Sequence, residues 1–429
     1  MQNVRQGIIL GIVGLACCLV PAGAEPAAAK VRIEIGDIPA NDQSVRWFSA
    51  QVDSFRVAHP HIDVVTFGIG GDPRPRRPID TLPDLPENVI GIESMPGGET
   101  AFLAERDLIV PIDRFLPDPQ FSLDAFAENL YDSVTYAGKI WGVPWYAEGN
   151  FLVYDPAMLK EAGIQRPPET WDELMADVEK LGKDANGDGR LEQWALRIGN
   201  KNTLVLMWIS LLMQQGINVL DDSGFHFEGE APRHAFDLLQ RLAASPKTRK
   251  SEPNPLEPCA FSFETSRSID RLLKTMLNQK FQIAPVPGFG SHKSMRSRTV
   301  YLCVRKSTPE REAASWEFIK WVIRKDSPFP EVYDGYLCRA DLPKRPDIDK
   351  APLAGKINID AALHSVADSI DPAPHLAGRM LAFGLLRSSF NDAIQGKVSY
   401  EEGIVQVAEK LNALVKPSMK TDDALELVR

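Results

Sequence analysis

Histidine, cysteine and clustered basic charge are all scarce in this chain, and each scarcity removes a class of function. The seven histidines are scattered except for His59 and His61, which flank Pro60 and read as turn chemistry after a helix end. No His-Glu-x-x-His, Gly-x-Ser-x-Gly, Gly-x-x-x-x-Gly-Lys or Cys-x-x-Cys pattern occurs. Zinc peptidase, serine hydrolase, phosphate-loop and dithiol chemistry therefore have no carrier in the sequence. Basic residues number 48 against 58 acidic ones, a net charge of -10, and no basic run stands out. That balance excludes the electrostatic footprint of a nucleic-acid binder. Beyond residue 24 no apolar run reaches membrane length.

Met1–Ala24 carries one cation, Arg5, an apolar run from Gly7 to Val20, and then Ala22-Gly23-Ala24. This is the order of a secretory signal peptide, with cleavage expected after Ala24 and a periplasmic destination. A lipoprotein signal acylated at Cys17 or Cys18 is the rival reading, and the residues before those cysteines fit it poorly. Removing 24 of 429 residues leaves 405, with 47 basic against 58 acidic side chains and a charge of -11. A chain of that length predicts two or three lobes. Its 44% hydrophobic and 25% charged content is that of a globular protein. Of the five cysteines, Cys259, Cys303 and Cys338 remain after cleavage. They leave room for one disulfide, or read as small buried hydrophobes.

The early chain alternates strand and helix. Val31–Ile35, Ile62–Phe67 and Val89–Ile92 have strand patterns, while Val45, Phe48, Val52 and Phe55 recur at helical spacing before Pro60. Such order argues for α/β architecture with sheets covered by helices. Gly68–Pro86 reads as an exposed loop. Thr170 to Glu173 forms a capping box ahead of the stripe Trp171, Leu174, Val178 and Leu181. A mostly helical middle is expected from Leu204 to Leu277, then strands over Phe281–Val286 and Arg298–Val304. Further helices are expected from Thr308-Pro309 onward, over Leu376–Ile394 and over Tyr400–Val415.

The most informative stretch is Gly138–Ile164, GKIWGVPWYAEGNFLVYDPAMLKEAGI. It gathers Trp141, Trp145, Tyr146 and Phe151 around one acid, Glu148. Rings that cover apolar sugar faces, beside a carboxylate that accepts from hydroxyls, suit gripping a polar ring-shaped ligand. The competing explanation is that the rings are core. This stretch, with PPETWDELMADVEKLGKDANGDGRLEQWAL (Pro167–Leu196), resembles the extracellular solute-binding proteins that serve ABC importers. The most similar of these bind maltose, other oligosaccharides or glycerol phosphate. The shared pattern is G-K-[IL]-x-[GA]-[VI]-P, an aromatic patch, [VLI]-Y-[ND], and P-x-T-W-[DE]-[ED]-[LF]. Weaker similarity runs over positions 30 to 415.

The resemblance implies a two-lobe, hinged fold of the type II periplasmic-binding class, each lobe a mixed sheet flanked by helices. It implies a signal peptide over 1–24, an N-terminal lobe of 25–146 plus 297–334, and a C-terminal lobe of 147–296 plus 335–429. It also implies a monomer that delivers a carbohydrate-like ligand to permease subunits and carries out no catalysis. The alternatives are a ligand-sensing role toward a chemoreceptor or sensor kinase, and an anionic ligand such as glycerol phosphate or a sugar acid.

Glu148 falls where related sugar binders place a ligand-contacting acid; a hinge-capping carboxylate is the alternative. Trp145 and Tyr146 flank it on opposite faces of a strand, and Tyr146 shares the face of Glu148. Asn41 and Asp42 open a helix at the carboxyl edge of a sheet, where ligands of open α/β sheets lie; helix capping explains them equally well. Ser94 follows another strand at that edge. Arg267 falls near the place of a tryptophan in relatives and would suit a phosphate or carboxylate. Phe383 falls where maltose-type binders put a stacking tryptophan. Asp184, Asn186 and Asp188 match the start of a calcium loop, but the twelfth position is Ala195. No cofactor is expected: the loop reads as ordinary turn chemistry, with a weak structural calcium as the alternative.

Overall fold

The computed structural model describes residues 30–36, 42–66, 88–93, 99–126, 130–131, 134–147, 150–198, 201–217, 219–221, 224–250, 258–265, 281–289, 299–327, 336–337 and 379–416. Its first strands are β1 (Val31–Gly36), β2 (Ile62–Thr66), β3 (Val89–Glu93), β4 (Thr135–Tyr136), β5 (Lys139–Ile140), β6 (Val143–Ala147) and β7 (Asn150–Tyr154). There follow β8 (Trp194–Ile198), β9 (Leu220–Asp221), β10 (Gly224–Phe225), β11 (Thr248–Lys250) and β12 (Cys259–Thr265). The last are β13 (Gln282–Ala284), β14 (Thr299–Val304) and β15 (Tyr336–Leu337). The helices begin with α1 (Asp42–Ala58), α2 (Glu99–Glu105), α3 (Pro156–Glu161), α4 (Trp171–Lys180) and α5 (Lys201–Gln214). After these come α6 (Glu230–Ala244), α7 (Pro309–Ile323), α8 (Arg379–Ile394) and α9 (Gln406–Leu414).

Two sheets organise the chain. The first runs β15-β6-β14-β3-β1-β2, with β1, β2 and β3 parallel and β14 antiparallel to both its neighbours. The second runs β11-β8-β12-β7-β13, its first three strands parallel and its last two pairings antiparallel. Each sheet has its own hydrophobic core. One gathers Phe48, Phe55, Trp145, Tyr301 and Phe318; the other gathers Trp171, Trp208, Phe236, Phe261 and Phe390. All six residues of β14 are buried, which explains the unbroken apolar run TVYLCV at the centre of the first sheet.

Local signals in the sequence act as expected at two helix starts. Thr308 Oγ1 accepts from Arg311 N–H ahead of Pro309, and α7 buries Trp316, Ile319 and Ile323 against the first sheet. Thr170 Oγ1 accepts from Glu173 N–H, and Trp171, Leu174, Val178 and Leu181 are buried. The returning side of that capping box reaches the backbone of both Thr170 and Glu169. The Glu173 carboxylate takes the Glu169 N–H at 2.8 Å and is gripped from the side by the Arg166 guanidinium at 2.8 Å. The Arg166 hydrogen bond, chiefly, lowers its pKa to about 2 from 4.5.

A depressed carboxylate pKa stabilises the fold above the unfolded value and loses that contribution as pH falls through the native value. The stability gap between wild type and Glu173→Gln should therefore be constant above about pH 5 and close between pH 4.5 and 2. The carboxylate is solvent-exposed, so the gap should stay below about 1 kcal/mol. Urea titrations at pH 7 and pH 2.5 check this; a gap undiminished at pH 2.5 refutes the assignment.

The middle of the chain departs from expectation. Cys259–Thr265 is a strand, not part of a helical stretch, and β12 lies inside the second sheet between β8 and β7. Its polar residues hid it, because the alternation is blurred when both faces are buried. Cys259 and Cys303 are buried, whereas Cys338 and the loop Gly68–Pro86 lie outside the described residues. The strand β15 pairs with β6, so Tyr336 and Leu337 belong to the first sheet.

Candidate functional site

The geometry that matters is the passage from one sheet to the other. β6 ends at Ala147 in the first sheet, and β7 begins at Asn150 in the second. Two residues, Glu148 and Gly149, are all that separate them. Three peptide steps span no more than about 11 Å, so covalent geometry alone holds an edge of each sheet close to the other.

Register identifies which edge this is. In the first sheet Thr299 pairs with Ala147, Tyr336 also pairs with Ala147, and Val300 pairs with both Tyr146 and Glu93. The carboxyl ends of β3 and β6 thus stand level on either side of the start of β14. Ser94 follows directly after β3, and the gap after β1 leads to Asn41 and to Asp42, the first residue of α1. In the second sheet Thr265, the last residue of β12, pairs with Asn150, the first of β7. The chain leaving toward Arg267 and the chain arriving from Glu148 therefore meet the same edge. β1, β3 and β6 release their chain at the edge of the first sheet from which the crossing departs. This is the edge at which open α/β sheets take ligands.

Asn41, Ser94, Glu148 and Arg267 lie outside the described residues, and of Asp42 and Tyr146 only the backbone is described. The backbone of Tyr146, next to last in β6, lies at this edge, and Asp42 opens α1. Two of the expected rings sit elsewhere. Trp145 is 1% exposed and meets the Phe48 ring edge-on at 6.2 Å, inside the first core. Its alternation with Tyr146 along β6 sends it there. Phe383, at 9% exposed, belongs to the second core on α8. Both rings therefore stabilise the lobes rather than line the edge in this structure.

Edge residues that sequence reasoning missed are Asn150, Glu264 and Thr299, because β12 was not read as a strand and the ends of β7 and β14 carry no motif. The Asp184 loop is closed by its own amides. Asp184 accepts from the N–H groups of Gly187, Asp188 and Gly189, and Glu192 accepts from Ala185. Asp184, Asp188 and Glu192 bring carboxylate oxygens within 4.8 Å of one another, all exposed, while Ala195 at the twelfth position is buried in β8. Glu192 at the ninth position was not among the ligands expected from sequence.

The two sheets are thus joined by a crossing of only two residues. Residues 84–328, more than half of the chain, match the family of bacterial extracellular solute-binding proteins, and the chain belongs to that family. A putative binding protein of Brucella abortus is 31% identical over 77 residues, 18% of each chain. A probable ABC transporter-binding protein of Deinococcus radiodurans is 30% identical over 63 residues, 15% of each. These matches span less than a fifth of those relatives' length.

Solved structures extend the likeness in fold. A Thermotoga lettingae ABC transporter solute-binding protein bound with α-D-tagatose superposes with a TM-score of 0.71 at 19% identity, covering 90% of this chain and all of its own. Maltose-bound MalE3 of T. maritima gives 0.70 at 19% identity, with 90% and 100% coverage. The cyclic α-maltosyl-1,6-maltose binding protein of Arthrobacter globiformis gives 0.71 at 16%, again with 90% and 100%. The fold is the two-lobe, type II periplasmic-binding arrangement. Among the described residues no helix is long and apolar enough to cross a membrane.

Proposed function

We propose that this protein is a periplasmic receptor that closes its two lobes around a carbohydrate or related polyol and presents it to the permease of an ABC importer. The observation that carries the reading is the two-residue crossing between β6 and β7, with Glu148 inside it. A ligand seated there would touch both sheets at once. Contacts available only when both lobes meet the ligand favour the closed state, and only such differential contacts shift the equilibrium. The sugars bound by the tagatose, maltose and cyclic maltosyl-maltose proteins support a carbohydrate as the ligand class. Glu148 would accept hydroxyl protons, Tyr146 would cover a ring face, and Asn41, Asp42 and Ser94 would complete the polar contacts. The sequence order of Met1–Ala24 supports export by a cleaved signal, and a monomer suffices for the mechanism.

A thermal-shift screen against neutral mono- and disaccharides, polyols and their phosphates tests this directly. Binding at a hundredfold excess over Kd adds about 2.7 kcal/mol to native stability. We expect a neutral sugar to raise the melting temperature in a saturable way. A response confined to phosphates or sugar acids would instead place Arg267 at the centre of an anion site, and silence across the whole panel would overturn the carbohydrate reading.

A further inference from the structure

β12 carries charge where a sheet interior usually has none. Ser262 and Glu264 occupy successive positions on one face, are 7% and 4% exposed, and the Ser262 hydroxyl donates to Glu264 Oε1 at 2.7 Å. Arg197, equally buried, stands opposite Ser262 on β8, so a cation lies diagonal to Glu264 across the same sheet. Apolar replacements of such buried ionic groups are often neutral or stabilising, which makes stability alone a weak explanation for them. What a buried polar lock supplies is one defined geometry.

Position shows what that geometry serves. Glu264 pairs with Phe151 and the next residue, Thr265, pairs with Asn150. Glu264 is therefore a buried polar group one residue short of the end of β12, beside the start of β7 to which the crossing leads. We propose that Glu264, held by Ser262, is a positioning residue for ligand capture. It fixes the paired ends of β12 and β7, and with them the point from which the crossing to β6 departs. It acts through those strand ends and not by contact with the ligand. The inference rests on the carbohydrate-receptor reading for its binding consequence; the strand-end lock itself is measurable without ligand.

The test uses the full chain and the variants Glu264→Gln, Ser262→Ala and Ser262→Thr. Amide hydrogen exchange is followed at Thr265, Asn150 and Phe151, with Ala195–Ile198 on β8 as the internal reference. Melting temperature and calorimetric titration with maltose, mannobiose and D-tagatose complete the set. Glu264→Gln should speed exchange at the strand ends about tenfold and leave β8 and the melting temperature unchanged. It should weaken the sugar that wild type binds by about tenfold. Ser262→Ala should move both readouts in the same direction, and Ser262→Thr, which keeps the hydroxyl, should restore them.

Unchanged exchange at the strand ends overturns the proposal. So does faster exchange everywhere with a lowered melting temperature, which would make Glu264 a general stabilising group. Affinity within about twofold of wild type overturns it as well. If wild type binds none of the three sugars while Glu264→Gln still frees the strand ends selectively, the carbohydrate reading fails and the anchor stands.

Discussion

Replacing Glu148 by alanine should abolish most of the ligand-induced rise in melting temperature. The ligand-free protein should melt within about 2 °C of wild type, as expected of an acid that serves the ligand rather than the fold. In the proposed role the carboxylate would accept hydrogen bonds from sugar hydroxyls, and hydrogen bonds to a charged group contribute about 1.5–3 kcal/mol each. Losing one therefore weakens affinity by roughly 10- to 150-fold. Calorimetric titration of the sugar found in the screen gives the number. Unaltered affinity in Glu148→Ala would move the site away from the crossing; a protein that no longer folds would make the acid a hinge cap instead.

Trp208→Ala should be the most damaging single change in the second lobe, costing about 3–5 kcal/mol. The indole is fully buried and donates from Nε1 to the Pro232 carbonyl at 3.1 Å. It contacts the rings of Phe227 and Phe390 at 5.2 and 5.3 Å, with Phe236 and Tyr400 further round. Removing it opens a cavity among four rings that cannot collapse together. Trp208→Phe keeps an aromatic volume and gives up the indole's bond to the Pro232 carbonyl, which lies in the first turn of α6, so its cost should be nearer about 1–2 kcal/mol. Urea denaturation of both variants checks the order, and an alanine variant losing less than about 1 kcal/mol would refute the packing. Phe383→Ala belongs to the same kind of change, since its ring lies in that core.

Periodicity and capping chemistry made much of the fold legible in advance. The helix after Thr170 and the helix after Thr308 begin where a hydroxyl meets an unpaired N–H, and that signal is local. β14 was visible as an apolar run because a central strand buries both faces. β12 was not, since its Ser262 and Glu264 satisfy each other inside the sheet, and sequence shows polar residues but not their partners. Trp145 illustrates the converse limit. Its type suggested ligand contact, and only the pairing of β6 with β14 reveals that its face turns inward. The candidate site was legible as positions following strands, because the edge rule depends on strand direction. Which of those positions share an edge depends on register, which no local pattern encodes.

The strand order also has a bearing on how this chain is made. β14 lies between β3 and β6 in space, yet every strand of the other sheet precedes it in sequence. The first sheet cannot be completed until residue 337 has left the ribosome, and the second core waits further for α8 and α9, which close it with Phe390 and Leu411. Nascent segments up to that point hold unmatched β edges and open apolar faces, the condition in which chaperones engage polypeptides.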